Sequence, residues 1–248
     1  MLQEIVASYT IKQADAAKTI LHLNDNMNEY IQQIHDHASP ILDELAQMDA
    51  LKSADETYYA QTCLVFAILS PQCWFDRNVR ACQRFMAHID DDFERVEDVF
   101  DVITNDGIDS WITSGMAARS LFKSLDTIRA LTPDDMHKEI LFAYKKAGIL
   151  AGIGEKTASM ACALFDATEE VFTLDVHMLR FVQQLTGSTI AGRMNINGIP
   201  YRMLEAAFVE WHKEHLPEYP IFVSQWALWE IHQGAGHINH LDIFKKVG

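Results

Sequence analysis

Two glycines two residues apart interrupt an apolar helical pattern in the segment Leu150-Ala151-Gly152-Ile153-Gly154, and this interruption is the strongest constraint on the fold. Glycine tolerates a positive φ and lets another backbone approach closely, so the pattern predicts a tight turn between two helices. The helix that begins at about Gly154 directs its first N–H groups outward, which makes its N-terminus a candidate anion site. We therefore expect Gly152, Ile153 and Gly154 to hold one DNA phosphate through main-chain donors.

Lys156 lies just inside the helix after this turn, and Asp175 opens the next predicted helix nineteen positions later. The stretches LAGIGEKTA and TLDVHMLR resemble the signature of the helix-hairpin-helix DNA glycosylases. Bifunctional members such as endonuclease III and 8-oxoguanine DNA glycosylase carry L-P-G-[VI]-G-x-K-x-A followed by [VL]-D-[VT]-H. The resemblance matches Lys156 to the lysine of that family and Asp175 to its aspartate. The wording Asp-Val-His-Met is closer to the 8-oxoguanine branch, and Ala151 in place of proline is the visible departure.

Strand-type alternation is scarce along the 248 residues, so the sequence predicts an all-α protein. The resemblance implies two helical domains with a cleft between them. Residues 57–171 would form a six-helix barrel, with the helix-hairpin-helix at about 139–166. Residues 1–56 and 172–248 would form a domain of terminal helices. Lys156 would then lie on one lip of the cleft and Asp175 on the other.

Breakers and caps predict where individual helices begin and end. Ser39-Pro40 is expected to break the N-terminal helical pattern. Residues 57–70 are nearly all apolar and predict a buried helix, after which Ser70-Pro71 is expected to start another. Thr132-Pro133-Asp134-Asp135 predicts a helix start, and that helix runs to Lys146-Ala147 before Gly148. Further helices are predicted over 41–50, 73–89, 93–103, 115–130, 177–187, 200–215 and 221–234.

The resemblance implies a reaction in which a neutral Lys156 amine attacks C1′ of a flipped-out nucleotide and forms a Schiff base. The pKa of the amine would have to fall from about 10.4, and a helix N-terminus supplies suitable positive potential. Asp175 would face the positive charge that develops on the sugar and help to deprotonate or orient Lys156. The alternatives are an exposed helical lysine and a plain helix N-cap.

Other residues match positions near the flipped base. Ile68-Leu69-Ser70-Pro71-Gln72 resembles the family segment I-L-S-x-Q, whose last residue wedges into the duplex, although Gln72 could equally be an exposed first-turn residue. His177 could pack against neighbouring side chains, support a residue that contacts the substrate, or take part directly in catalysis. The remaining base-pocket candidates, each of which could instead be an ordinary core residue, are Met160, Trp74, Gln225, Trp226 and Trp229.

The formal net charge is −15, from 20 Lys and Arg against 35 Asp and Glu, which opposes binding to a polyanion. Much of the excess lies in one acidic run that is expected to be a solvated face: Asp90, Asp91, Asp92, Glu94, Glu97, Asp98 and Asp101. DNA contact would rely on main-chain N–H groups and a few cations, namely Lys145, Lys146 and Arg180. We expect weak binding with a shallow salt dependence.

Four widely spaced cysteines without a CxxC pair are expected to be buried thiols of a reducing compartment. The C-terminal four-cysteine run of endonuclease III is absent, so no iron–sulfur cluster or other metal is expected, while a monovalent cation at the hairpin is left open. The sequence shows neither a membrane span nor a signal peptide. We expect an intracellular monomer in the cytoplasm and nucleoid, or in the nucleus of a eukaryote.

Three functions remain open on the sequence. The first is a bifunctional DNA glycosylase and AP lyase acting in base excision repair on a damaged, oxidised base of double-stranded DNA. The second is a transferase that hypermodifies a DNA base, like phage proteins that resemble this superfamily. The third is a hairpin module that only binds DNA, which would have no use for an aspartate at the position of Asp175.

Overall fold

The structure is a computed structural model that describes residues 26–71, 74–105, 114–186, 198–234 and 238–245. The all-α prediction is confirmed, because these residues form ten α-helices and three 3-10 turns and no β-strand. The helices are α1 (Ile31–Ala54), α2 (Glu56–Leu69), α3 (Phe75–Ala87), α4 (Val96–Thr104), α5 (Ser114–Arg129), α6 (Lys138–Lys146), α7 (Glu155–Phe165), α8 (Val176–Thr186), α9 (Ile199–His215) and α10 (Ile221–Gln233). The 3-10 turns are Asn28–Tyr30, Pro133–Asp135 and His240–Phe244. Within the described ranges, no helix combines the length and apolar character needed to cross a membrane.

The predicted break at Ser39-Pro40 is wrong, because α1 continues through both residues as one helix of 24 residues. Proline removes one N–H from a helix and crowds the preceding turn, which normally ends the helix. Here Ser39 and Pro40 face solvent, so water can satisfy the freed carbonyl group, while the opposite face is buried on both sides of the proline. The buried residues of that face are Ile34, Ala38, Ile41, Leu45 and Met48.

Two predicted helix starts also need correction. Ser70 is the C-cap of α2, and the next helix begins at Phe75 with Trp74 as its N-cap. Thr132 and Asp135 do form the predicted capping box, but they cap a single 3-10 turn. The helix proper begins only at Lys138, because Met136 leaves the helical backbone conformation.

The chain divides into two compact units, one containing Met1–Asp43 and Ala167–Ile238 and the other Glu44–Asp166 and Asn239–Gly248. The sequence instead set the boundaries at 56/57 and 171/172 and assigned residues 239–248 to the terminal helices. The second unit holds this segment through Glu44, whose buried Oε1 accepts hydrogen bonds from the backbone N–H and the Nδ1 of His240. The six-helix barrel stays a prediction.

In the second unit, α2 is the central helix and packs against α3, α5 and α7. It is apolar on all sides, as predicted from residues 57–70, and ten of its residues are buried. The Tyr59 hydroxyl donates to the carbonyl of Leu164, and the Tyr59 ring stacks on Phe244 at 4.1 Å. These contacts fix the first turn of α2 relative to the end of α7 and to the 3-10 turn His240–Phe244.

In the first unit, α10 packs against α8 and α9. The Phe172 ring stacks on Phe208 at 4.4 Å, and the Tyr30 ring meets the edge of Phe181 at 5.0 Å. The buried Glu230 carboxylate accepts hydrogen bonds from the backbone N–H of Ile238 and from His37. This core holds the short segment that leads into α8.

Candidate functional site

The turn between α6 and α7 is a tight hairpin, which confirms the turn predicted from the glycines. The N–H of Ile149 donates to the carbonyl of Tyr144, and the N–H of Gly148 donates to that of Lys145. With Gly148 at φ +75°, this is the Schellman pattern that ends many helices. Leu150 and Ile153 are buried and anchor the hairpin in the core of the second unit, so Ile153 offers a ligand only its main chain.

The two glycines of the motif have different surroundings. Gly152 has a φ of +78°, and a Cβ there would lie 3.0 Å from the Cβ of Ser120 and 3.2 Å from a methyl group of Ile68. Gly154 has extended backbone and is the N-cap of α7, and no atom of the described residues lies within 4 Å of a Cβ built on it. Gly152 is therefore required by the fold, whereas Gly154 leaves open space beside the first turn of α7.

Two side chains on one face of α5 form hydrogen bonds with the backbone of the hairpin. Thr127 donates to the carbonyl of Ile149 at 2.7 Å, and the N–H of Ala151 donates to the Ser124 hydroxyl at 2.7 Å. A proline at position 151 would have no N–H to donate. The departure from the family motif therefore comes with a partner on α5 that sequence reasoning did not find.

Lys156 lies in the first turn of α7 and is half-buried. Its Nζ donates to the Ser70 hydroxyl at 2.5 Å, and that hydroxyl donates to the carbonyl of Ala67 at 2.8 Å. The sequence predicts Ser70 only as a helix cap and as a residue of the motif that ends at Gln72. Its contact with Lys156 depends on the packing of α2 against α7, 86 residues apart in sequence.

The residue before Lys156 is an acid with a structural contact. Glu155 is 6% exposed, and its Oε2 lies 3.5 Å from the Nζ of Lys138 at the start of α6. A carboxylate in the first turn of a helix is stabilised by the helix dipole, whereas a lysine there is not. The ion pair ties the beginnings of α6 and α7 together beside the hairpin.

Charge around the hairpin differs from that of the whole chain. Residues 115–156 contain seven Lys and Arg against five Asp and Glu, although the chain carries −15. Lys145 and Lys146 are exposed at the end of α6, and Arg119 and Lys123 are exposed on α5. The acidic run is largely exposed as predicted and lies in the turn before α4 and on that helix, with Asp98 in the capping box of α4. Backbone and side-chain hydrogen bonds from Arg95 lower the pKa of Asp98.

Asp175 belongs to the first unit and is the N-cap of α8. Its Oδ1 accepts hydrogen bonds from the N–H groups of His177 and Met178 at 2.9 and 2.8 Å. Its Oδ2 accepts a hydrogen bond from the indole N–H of Trp229 at 3.3 Å. The predicted cap is thus present, and an aromatic donor that the sequence did not pair with Asp175 holds the second oxygen.

The extended segment before Asp175 is held by three side chains of α9 and α10. Glu205 accepts from the N–H of Phe172 at 3.3 Å, and Tyr201 accepts from the N–H of Leu174 at 3.0 Å. Gln225, a base-pocket candidate, is 5% exposed, and its Oε1 accepts from the N–H of Thr173 at 2.8 Å. All three side chains are buried, so the core of the first unit holds the backbone that leads to Asp175.

The other base-pocket candidates fall in different environments. Trp229 is half-buried and stacks on the buried Trp226 at 5.3 Å. His177 is half-buried, meets the edge of Trp229 at 5.8 Å, and hydrogen-bonds Gln233. Met160 is half-buried on α7.

Three further candidates remain. Trp74 is 78% exposed, and Arg180 is exposed on α8. Gln72 lies outside the described residues. The roles assigned to all these residues in DNA or base binding stay predictions.

No group of three or more His, Cys, Asp or Glu suited to a metal ion occurs among the described residues. Three of the four cysteines, Cys63, Cys82 and Cys162, are buried free thiols in the second unit. Burial raises the pKa of Cys63 and of Cys82, so both are protonated.

Comparisons with protein-family models, with curated proteins and with solved structures found no match to this chain.

Proposed function

We propose that the chain is a DNA glycosylase with AP lyase activity that removes a damaged base through a Schiff base on Lys156. The observation that carries the proposal is the half-buried Lys156 amine directly after a glycine hairpin, held by the Ser70 hydroxyl. A lysine in the first turn of a helix is electrostatically disfavoured, so stability alone is a poor reason for it. The resemblance of the hairpin to that of the helix-hairpin-helix glycosylases supplies the reaction.

The surroundings of Asp175 support its role in the same reaction. Each carboxylate oxygen accepts at least one hydrogen bond from an N–H donor, and these bonds fix the orientation of the carboxylate. An ionised carboxylate stabilises the positive charge that builds on the sugar as the base leaves. The buried side chains of Tyr201, Glu205 and Gln225 hold the backbone of residues 172–174 and so keep this carboxylate in place. A carboxylate already in place lowers the cost of reorganisation during the reaction.

The hairpin supports binding of a DNA phosphate. The space beside Gly154 admits an anion to the first turn of α7, and a helix N-terminus attracts negative charge. The basic excess over residues 115–156 reduces the repulsion expected from the net charge of −15. We propose that DNA approaches this face of the second unit.

The neutral Lys156 nitrogen forms a bond to C1′ while the base departs with the electrons of the N-glycosidic bond and takes up a proton. Opening of the C1′–O4′ bond, with transfer of one proton from the attached nitrogen to O4′, gives the protonated Schiff base. Loss of a C2′ proton then expels the 3′ phosphate by β-elimination, and water finally releases the lysine.

Borohydride trapping tests the proposal. Duplexes carrying 8-oxoguanine, thymine glycol, uracil, an alkylated purine or 5-hydroxymethyluracil are incubated with the protein and sodium borohydride, which reduces a Schiff base to a stable adduct. We expect an adduct on at least one duplex, and its loss in Lys156→Gln. Lys245→Gln is the matched control, because it removes the same charge at an exposed site outside residues 115–156 and should keep the adduct.

Other outcomes would change the assignment. Base release without an adduct would indicate a glycosylase that uses water instead of Lys156. Neither release nor an adduct, with DNA binding retained, would contradict the proposal and leave the base-modifying transferase or the binding module. An adduct that persists in Lys156→Gln would move the nucleophile to another amine.

A further inference from the structure

We propose that Ser70 is a positioning residue that orients the Lys156 amine for attack. This inference rests on the proposed function, because it concerns the nucleophile of that reaction. Ser70 touches Lys156 through its side chain and lies on a different helix, so it can act on the direction of the amine without being part of the hairpin.

The hydrogen-bond roles around Ser70 are set by its partners. A serine hydroxyl has one proton to donate and two lone pairs to accept with. The proton is used on the carbonyl of Ala67, which can only accept, at 2.8 Å. The Ser70 oxygen therefore presents a lone pair to the Lys156 nitrogen and accepts an N–H from it at 2.5 Å.

This arrangement has a consequence for the neutral amine. A neutral lysine nitrogen keeps two N–H groups and one lone pair, and the lone pair is the attacking orbital. Because Ser70 accepts and does not donate, an N–H points toward Ser70 and the lone pair points elsewhere. Ser70 thus keeps the nucleophilic orbital of Lys156 out of an unproductive hydrogen bond with the Ser70 hydroxyl.

The support of Ser70 is rigid. Its oxygen follows a buried helix, α2, whose last residues Ala67, Ile68 and Leu69 are at most 2% exposed. The Ser70 N–H also bonds the carbonyl of Ala67 at 3.3 Å, so backbone and side chain share one acceptor. A hydroxyl fixed in this way restricts the flexible four-carbon stem of Lys156 to fewer rotamers.

The test compares two reactions of the same lysine. Adduct formation on damaged DNA under borohydride needs the amine in one direction, whereas carbamylation by cyanate, a small reagent, needs only a neutral accessible amine. For Ser70→Ala we expect the adduct rate to fall about tenfold or more, since small misplacements of reacting groups cost up to about a hundredfold. Carbamylation of Lys156, followed by peptide mass spectrometry, should stay within about twofold of wild type.

Two variants serve as controls. Ser70→Thr keeps the hydroxyl at a helical backbone position that threonine tolerates, so it should restore the adduct rate. Thr104→Val removes a hydroxyl that bonds a helix carbonyl at the end of α4, as Ser70 does at the end of α2, and should leave both reactions unchanged. Thermal unfolding of each variant checks that the fold is kept.

The following results would overturn the positioning role of Ser70 or the proposed function. An adduct rate for Ser70→Ala equal to wild type overturns the positioning role. So does a parallel fall in carbamylation and adduct formation, and so does a Ser70→Thr variant as slow as Ser70→Ala. A wild-type protein that forms no adduct on any duplex contradicts the proposed function itself and removes the Ser70 role with it.

Discussion

The backbone N–H of Ala151 donates a 2.7 Å hydrogen bond to the hydroxyl of Ser124, a residue of α5 that is fully buried. The two residues are 27 positions apart, and no sequence pattern indicates that they are in contact. Ala151, which stands where the family motif has proline, therefore attaches the hairpin to α5. The conformation of the hairpin is thus set partly by another helix.

The first prediction concerns this pair. Ala151→Pro removes the donor and leaves the buried Ser124 hydroxyl without this partner, whereas Ser124→Ala removes the acceptor of the half-buried Ala151 N–H. We expect each single change to lower the free energy of unfolding by about 1–3 kcal/mol. The double variant should lose less than the sum, because no unpaired group remains. Urea denaturation of the four proteins measures the coupling, and strictly additive losses would show that the bond is not formed.

The second prediction ranks three glycine-to-alanine changes around the hairpin. Gly152→Ala combines a positive φ with contacts of 3.0 to 3.2 Å, so it should cost at least about 2 kcal/mol. Gly148→Ala has a positive φ but open space around it and should cost about 1–2 kcal/mol. Gly154→Ala has neither problem and should cost at most about 1 kcal/mol as a poorer N-cap.

DNA binding should follow a different order in the same three variants. Because the open side of Gly154 is where the proposed phosphate approaches, Gly154→Ala should weaken binding several-fold despite its small effect on stability. Fluorescence anisotropy with a labelled duplex at low salt measures this. Wild-type affinity in Gly154→Ala would argue against the hairpin as the phosphate site.

The third prediction separates the role of Asp175 as the N-cap of α8 from its proposed role in the reaction. Asparagine caps helices about as well as aspartate, so Asp175→Asn should keep the cap of α8 and change stability by no more than about 1 kcal/mol. It removes the negative charge, and base release should fall by about a hundredfold or more. Trp229→Phe keeps an aromatic ring but removes the donor to Oδ2, and should show a smaller fall. Full activity in Asp175→Asn, measured by single-turnover base release, would exclude the carboxylate from the reaction.

The fourth prediction is a pH dependence of stability through His212. Burial lowers the pKa of His212 below its ordinary value of about 6.5. Nε2 of His212 faces the carbonyl of Tyr219 and Nδ1 faces the Ser224 hydroxyl, which fits a neutral ring with its proton on Nε2. As the pH falls below about 6.5, the unfolded chain binds a proton that the folded chain does not, so stability falls toward acid.

His212→Gln should make this fall shallower. One histidine contributes at most about 1.4 kcal/mol per pH unit, so the change is measurable by urea denaturation between about pH 7.5 and about pH 5. Burial also lowers the pKa of His232, with His177 as the next cause, so part of the slope should remain. An unchanged slope in His212→Gln would contradict the prediction.

Periodicity and punctuation determined much of the local structure. The all-α class, the buried helix α2, the hairpin at Gly148–Gly154 and the cap at Asp175 all followed from residue patterns, because each depends on contacts within a few residues. The failures were local signals that the surroundings outweighed. Pro40 does not end α1, because burial of the opposite face holds the helix on both sides of it. Ser70-Pro71 does not start a helix, because Ser70 is needed to end the previous one.

The sequence by itself determined which functional groups are present, since the amine of Lys156 and the carboxylate of Asp175 are covalent parts of the chain. Only the tertiary structure decided what each of them touches. Ser70 meets Lys156, Trp229 meets Asp175, and Ser124 meets Ala151 across separations of 86, 54 and 27 residues. Such pairs arise from the packing of whole helices, which depends on many side chains at once, so no short pattern in the sequence encodes them.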